Sequence, residues 1–515
     1  MASGRKSSSD DGPKEMGLNL KKHERPTLSL AAKVLGFGLV LSQMIATLHV
    51  HLSNLGFHEK TLRIMESGYV SVPNAKTLPL LVQWDTAFFG GVFFTLTLGC
   101  MLSLFVFFYA WVWRRFFFRK SVFLLPGLVL WAACLWLVNA RGLQVMASAY
   151  FLLIPPAVFA ATLFLMNRDP QPLDAKSLAV QTAPFILLAA LGVFQLDRGI
   201  FIHFRDVVLL SNPAGMKIND FYYRYTLYPA ETFKSFDQKL LRTCHLSDMS
   251  YGVYAKKLEK ALVRHDCLPV AGEKADISLS AMNRDVILQF QGQVVLKADQ
   301  QAFLANPAKY LKAYSQKTDS FIFFRSFIFF SLLIGLPASV YILVFGFLQY
   351  GFSKVINGKA ASMGASVCCL AAGITLMLLL QGGETTLEDK DLAGMILSED
   401  WIERTRAIQR VVELKQDIMT YPVGETHVKS PFIPERYWLA LALGKSRNLE
   451  ARVYLTRMVE DPQVNVRCKA HAALGRTKNK AFIPLIFDKL AKSGHIYEQL
   501  YAYRALRDLG WTQTR

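Results

Sequence analysis

Trp113-Arg114-Arg115-Phe116-Phe117-Phe118-Arg119-Lys120 stands between two long apolar runs and sets how the chain threads a membrane. Short loops rich in Lys and Arg remain on the cytoplasmic side of a bilayer. The turn therefore reads as cytoplasmic, with Arg114, Arg115, Arg119 and Lys120 as the topology-determining residues. A membrane helix needs about 20 predominantly apolar residues, and runs of that kind extend from the turn in both directions.

Upstream, Phe88 to Trp113 reads as the second span, His51 to Thr86 as a polar outer loop, and Leu28 to Val50 as the first span. Lys33 lies close enough to the inner face for its ammonium group to snorkel. The first run is too long for the apolar core of a cleaved signal peptide. Residues 1–27 lack the apolar content for a core and read as a disordered cytoplasmic tail. Downstream, Val122 to Val138 is a third span, Asn139 to Arg141 a tight outer turn, and Gly142 to Met166 a fourth span kinked by Pro155-Pro156. An inner loop from Asn167 to Ser177 leads to a fifth span, Leu178 to Leu196. Phe321 to Tyr350 and Ala361 to Leu380 complete seven. Lys and Arg number six in the tail, four in the basic turn and two in the next inner loop, against three and one in the first two outer loops, which favours this threading.

The expected units are therefore the tail (1–27), five membrane helices (28–196), an extracytoplasmic insert (197–319), two further membrane helices (320–381) and an extracytoplasmic region (382–515). The 515-residue chain is 52% hydrophobic and 12% aromatic, as suits a membrane protein. Its formal charge of +19 is spread over tail, loops and both large polar regions, which argues against a nucleic-acid partner and for anionic membrane lipids.

The insert carries an amphipathic helix around Tyr251, Tyr254, Leu258 and Leu262, and a β-hairpin in which Val286 to Phe290 and Val294 to Leu296 flank Gln291-Gly292-Gln293. Gln301 to Gln316 reads as helical, so the insert is a small α+β domain. Cys244 and Cys267 share this exported region and form a candidate disulfide. Tyr222, Tyr223, Tyr225 and Tyr228 crowd its opening and are candidate partner-binding residues, the alternative being rings packed against the membrane mouth.

The last region repeats itself. Arg404, Arg436 and Arg467 are spaced by 32 and 31 residues, and each is followed three positions later by Ala407, Leu439 and Ala470. Leu441-Ala442-Leu443-Gly444 recurs as Ala472-Ala473-Leu474-Gly475, and Arg507-Asp508-Leu509-Gly510 is a degenerate third copy with Ala502 where arginine is expected. Equal spacing of this length implies stacked helix pairs. Together with Asp461-Pro462-Gln463-Val464-Asn465-Val466-Arg467 and Ile483-Pro484-Leu485, these residues resemble the HEAT-like repeats of the phycobilin-lyase type. The resemblance covers about the last quarter of the chain and implies an α-solenoid with a protein-binding or scaffolding surface, to which Arg436 and Arg467 belong. A lyase activity is not implied, because no catalytic positions match.

Chemistry is sparse. No phosphate-binding loop, dinucleotide fingerprint, nucleophile elbow or zinc-helix motif occurs in a fitting place. Lys33, Asp85 and Arg325 sit near span ends, so the spans lack the central charges of a coupled transporter. His49, His51 and His58 gather at the outer end of the first span beside Glu59, Glu66 and Asp85 and read as solvated end-groups. The sequence thus points to a polytopic α-helical membrane protein with about seven spans, in a bacterial inner membrane, with no cofactor, metal or catalytic residues. Its expected work is that of a scaffold or assembly component binding partner membrane or envelope proteins. The alternative is a subunit of a membrane transport or lipid/polysaccharide-handling system.

Overall fold

The computed structural model describes residues 27–168, 175–193, 202, 204–247, 253–272, 274–282, 284–381 and 391–514; the expected tail up to residue 26, and Tyr251, lie outside them. Among the described residues six helices are long and apolar enough to cross a membrane: Leu28–Glu66, Trp84–Phe116, Ser121–Asn139, Val145–Asn167, Ile322–Phe352 and Gly358–Leu378. A further apolar helix, Lys176–Gly192, is shorter.

The first helix runs unbroken over Thr27–Glu66, which corrects the polar loop expected from His51. Phe57, Leu62, Ile64 and Met65 continue the helical apolar pattern and pack beneath the C-terminal helices. The helix therefore projects roughly 24 Å past its expected end, at 1.5 Å per residue. Within the membrane part, small residues let the first two helices close on each other. A Cβ on Gly91 would lie 3.0 Å from the Thr47 backbone nitrogen, and one on Gly99 2.5 Å from the Ser42 hydroxyl.

The basic turn ends one membrane helix and caps another. Arg114 donates to the carbonyls of Leu163 (3.3 Å) and Met166 (3.0 Å) and to Asn167 Oδ1 (2.6 Å), which Arg119 shares at 3.1 Å. The Met166 carbonyl belongs to the last turn of the helix Val145–Arg168, whose ladder leaves it unpaired, and the Leu163 carbonyl lies one turn before it. Elsewhere two π turns, Thr95–Gly99 and Ser331–Gly335, meet where the Ser331 hydroxyl donates to the Thr97 carbonyl at 2.6 Å. The widened turn exposes that carbonyl, and the neighbouring helix satisfies it.

In the insert, β1 (Arg242–Ser247), β2 (Cys267–Pro269), β3 (Ile277–Met282), β4 (Asp285–Phe290) and β5 (Gln293–Asp299) form one mixed sheet. The order is β2-β1-β3-β4-β5, with β1 parallel to β2 and β3, and β3 through β5 antiparallel. The expected hairpin is β4–β5, its turn at Gln291 and Gly292 with φ of 50° and 79°. Cys244, Ile277, Leu279, Val286 and Leu288 face one side, where the helices Val253–Arg264 and Pro307–Thr318 cover them with Leu258, Leu262, Leu311 and Tyr314. Strand alternation sends Thr243, His245, Ser278 and Gln289 to the opposite, polar face.

The C-terminal region stacks helices beginning at Trp401, Ile433, Val464 and Ile496, spaced by 32, 31 and 32 residues. A second layer contains Leu449–Met458 and Ile483–Lys492. One device recurs at each step. Arg404, Arg436, Arg467 and Gln499 each donate to the carbonyl six residues back, at Ser398, Ser430, Asp461 and Ser493. The side chains of those same four residues accept the backbone N–H two positions on, setting the turn into the next helix. Each arginine also reaches an acid of the following repeat. Arg404 pairs bidentately with Glu435 at 2.9 Å, Arg436 with Asp461 at 2.7 and 3.1 Å, and Arg467 with Glu498 at 3.1 Å.

Counted from the helix starts, the arginine position of the last copy is Gln499 and not Ala502. The terminal glycine misleads because Gly510 lies 14 residues after its helix start, whereas Gly444 and Gly475 lie 11 after theirs. Ala502 is a fully buried packing residue. Gln499 suits its place because the loop after the first helix lies against it: it accepts from the Asn74 N–H at 2.9 Å and donates to Thr77 Oγ1 at 3.1 Å.

Candidate functional site

The structure assigns most of the expected partner-binding residues to internal contacts. Tyr223 stacks on Tyr497 with ring centroids 4.2 Å apart, Tyr225 packs on Phe89 at 4.9 Å, and Tyr222 reaches Phe93 edge-on at 6.5 Å while remaining half-exposed. Nothing is described of the Tyr228 side chain. Arg436 is buried, and Arg467 is engaged with Glu498 and the Asp461 carbonyl. These arginines hold repeats together.

The inner row of the stack is occupied by the chain itself. Successive repeats place Trp438, Asn465 and Tyr497 along one edge, and the segment entering the insert meets all three. Asp206 accepts from the Trp438 indole at 2.7 Å, Asn219 donates to Asn465 Oδ1 at 2.9 Å, and Tyr223 stacks on Tyr497. Arg205 lies 4.0 Å over the Tyr437 ring. Further along, Asp266 accepts from Tyr503 at 2.6 Å and pairs with Arg507 at 3.2 Å; burial nevertheless pushes its carboxyl above the ordinary range.

His49 corrects the expectation of solvated histidines. It is buried among Phe94, Tyr150, Phe233 and Phe324, with centroids 5.0–6.2 Å away. The reason is the length of the first helix, which carries His49 into the packed interior and sends His51 onto the Trp84 ring at 3.8 Å. No group of three metal-ligating side chains occurs among the described residues. Cys244 and Cys267 are both free thiols, buried on neighbouring strands, and Cys244 Sγ lies 3.6 Å from the Cys267 carbonyl oxygen.

A cleft of about 700 Å³ opens between the polar sheet face, the loop after Phe233 and the residues entering the membrane helix at Phe321. Its floor is a cross-strand row, since His245 is directly opposite Ser278 and Ser278 directly opposite Gln289. Beside this row Asp276 binds two lysines, Lys60 at 2.7 Å and Lys239 at 2.8 Å. The Thr243 N–H adds a third bond to the same carboxylate at 2.9 Å. Burial alone would raise the Asp276 carboxyl, but the Lys239 and Lys60 ammonium groups outweigh it and hold the group well below the usual range. Lys60 comes from the long first helix, so this triad fastens the insert to the membrane part. Lys234 pairs with Glu231 at 2.5 Å, and Lys274, largely exposed, stands at the rim and pairs with Glu59 at 3.6 Å.

Sequence reasoning missed Lys60, Lys239 and Asp276 because they come from three separate segments. The polar row was available as alternation: Thr243, His245 and Ser247 interleave with Cys244 and Leu246. No family model, curated protein or solved structure matches this chain.

Proposed function

We propose that this chain is a multi-pass protein of the cell (inner) membrane that crosses the bilayer seven times and works without catalysis, as an assembly component of the cell envelope. In this reading Lys176–Gly192 is a true span, the basic turn is cytoplasmic, and the first outer loop, the insert and the C-terminal repeats share the outer face. Four contacts support that arrangement: Lys60 with Asp276, Arg141 with the carbonyls of Gln316 and Asp319, Asn74 with the Ser493 carbonyl, and Trp438 with Asp206. Six crossings without Lys176–Gly192 would leave Lys60 and Asp276 on opposite faces of the bilayer. The 31–32-residue stacking supports the HEAT-like reading of the repeats.

The observation that carries the assembly role is the division of the repeat surface. Its inner row holds the chain's own insert, whereas the outer layer exposes Leu449 (72%) and Val453 (48%), one helical turn apart. The partner face is accordingly the helix Leu449–Met458. Affinity purification from native membranes tests this: the wild-type chain is expected to bring down stoichiometric membrane or envelope partners that L449E/V453K loses while its melting temperature is kept. The same partners at the same stoichiometry with both chains would reject the role. Export also favours a Cys244–Cys267 disulfide in the native membrane, which non-reducing mass spectrometry would detect; two free thiols there would exclude it.

A further inference from the structure

We propose that the cleft beneath the sheet seats a phosphate-bearing polar headgroup, and that it is a ligand site independent of the partner-binding role. Three observations converge on it. The floor offers hydrogen-bonding side chains in one line, His245, Ser278 and Gln289, at spacings set by strand pairing. Rows of this kind bind a polyol or phosphoester through several modest bonds.

The charge balance is the second. Among the described residues, Lys60, Lys234 and Lys239 face the two carboxylates of Asp276 and Glu231, while Lys274 at the rim pairs with Glu59 at 3.6 Å. Asp319, also on the wall, is neutralised bidentately by Arg325 at 2.9 and 2.5 Å. The groups around the pocket therefore carry a cationic surplus of one, with the exposed Lys274–Glu59 pair at its edge. A buried surplus of positive charge is stabilised by an anion, and lysines supply point charges suited to phosphate.

The third is where the cleft opens. Its lip is Ser320 and Phe321, immediately before the membrane helix that begins at Ile322. Ile322 and, seven and eight residues on, Phe329 and Phe330 lie along one exposed apolar face of that helix. A headgroup in the cleft thus has an apolar track for an attached chain, which fits an anionic amphiphile at the outer leaflet. A soluble phosphoester shares the headgroup chemistry but makes no use of the track.

The test uses the full chain in nanodiscs of phosphatidylcholine with or without phosphatidylglycerol, bound lipid being counted by native mass spectrometry after transfer to detergent. Soluble glycerol 3-phosphate forms a second arm, read by calorimetry. Wild-type protein is expected to retain phosphatidylglycerol selectively or to bind glycerol phosphate; the first outcome assigns the site to a lipid, the second to a soluble phosphoester, and both support the headgroup chemistry. S278L, which fills the floor, and K274E, which alters an exposed rim side chain without disturbing packing, should each weaken binding roughly tenfold, the weight of one lost charge-assisted hydrogen bond. K257E makes the same charge change on the helix covering the opposite sheet face and should leave binding unchanged. Equal binding by wild type, S278L and K274E, or no selectivity in either arm, would overturn the proposal. Because neither cleft variant touches Leu449 or Val453, failure here is distinguishable from failure of the assembly role.

Discussion

The repeat stack and the sheet domain both bury charge, and they do it in opposite ways. In the stack each arginine meets one acid of the next repeat, Arg404 with Glu435, Arg436 with Asp461, Arg467 with Glu498, and at the fourth position the neutral Gln499 bonds the Asn74 N–H instead. In the insert one carboxylate, Asp276, holds two ammonium groups beside an open cleft. One-to-one pairing closes a surface, whereas a surplus leaves it ready for an anion. The same residue types therefore mark architecture in one region and a site in the other.

The sharpest way to break this comparison is to unpair the stack. R436M leaves Asp461 buried without its cation and should cost about 3–5 kcal/mol, and R436M/D461L should recover most of it. Denaturant unfolding followed by tryptophan fluorescence measures both; no recovery in the double variant would contradict the pairing account.

Acid probes the seam between the two regions. Burial pushes His495 down to about 4, against 6.5 when unfolded, although Asp220 and Glu498 favour its charged form while Arg467 and Arg224 oppose it. As pH falls from 6.5 to 4 the unfolded chain takes the proton first, so stability declines by about 3 kcal/mol across that window. In H495Q this part of the pH dependence should vanish; an unchanged pH profile of the melting temperature would refute it.

In the insert, D276N frees two ammonium groups at once. It should cost about 2–3 kcal/mol, less than R436M because the cleft admits water and anions to the lysines. Since the Asp276 carboxyl is depressed, its contribution is present above the ordinary carboxylate range and lost only as the pH drops through its lowered folded value. Unfolding curves of D276N matching wild type at neutral pH would remove the triad from the account. The smallest effect is expected at the stack's fourth position. Q499A removes bonds to Ser493, Asn74 and Thr77 and should cost about 1–2 kcal/mol, with faster hydrogen exchange in residues 70–77. Unaltered exchange there would show that the loop is held by other contacts.

Much of the fold was legible in the sequence because its signals are local. Apolar runs gave the membrane helices, Gln291-Gly292 the hairpin, and the 31–32-residue spacing of Arg404, Arg436 and Arg467 the stack. The end of the first helix was not legible, since a chain leaving the bilayer becomes polar whether or not it stays helical, and Ile64 and Met65 join a buried cluster most of whose members lie more than 300 positions away. The candidate site was almost wholly hidden: Lys60, Lys239 and Asp276 are ordinary surface residues until the fold brings them together. Ser398, Ser430 and Ser493 each precede an acid by five residues and accompany the arginine register, so that part of the repeat was readable and went unread.

Everything above requires the insert and the repeats to share one face of the membrane, opposite the basic turn at Arg114 to Lys120. Two topology reporters decide it, one inserted at the Gln291-Gly292 turn and one fused after Arg515, each as an alkaline phosphatase and as a cytosolic fluorescent protein. Phosphatase activity at both positions with dark fluorescent fusions is the expected result. Fluorescence at either position would contradict the account.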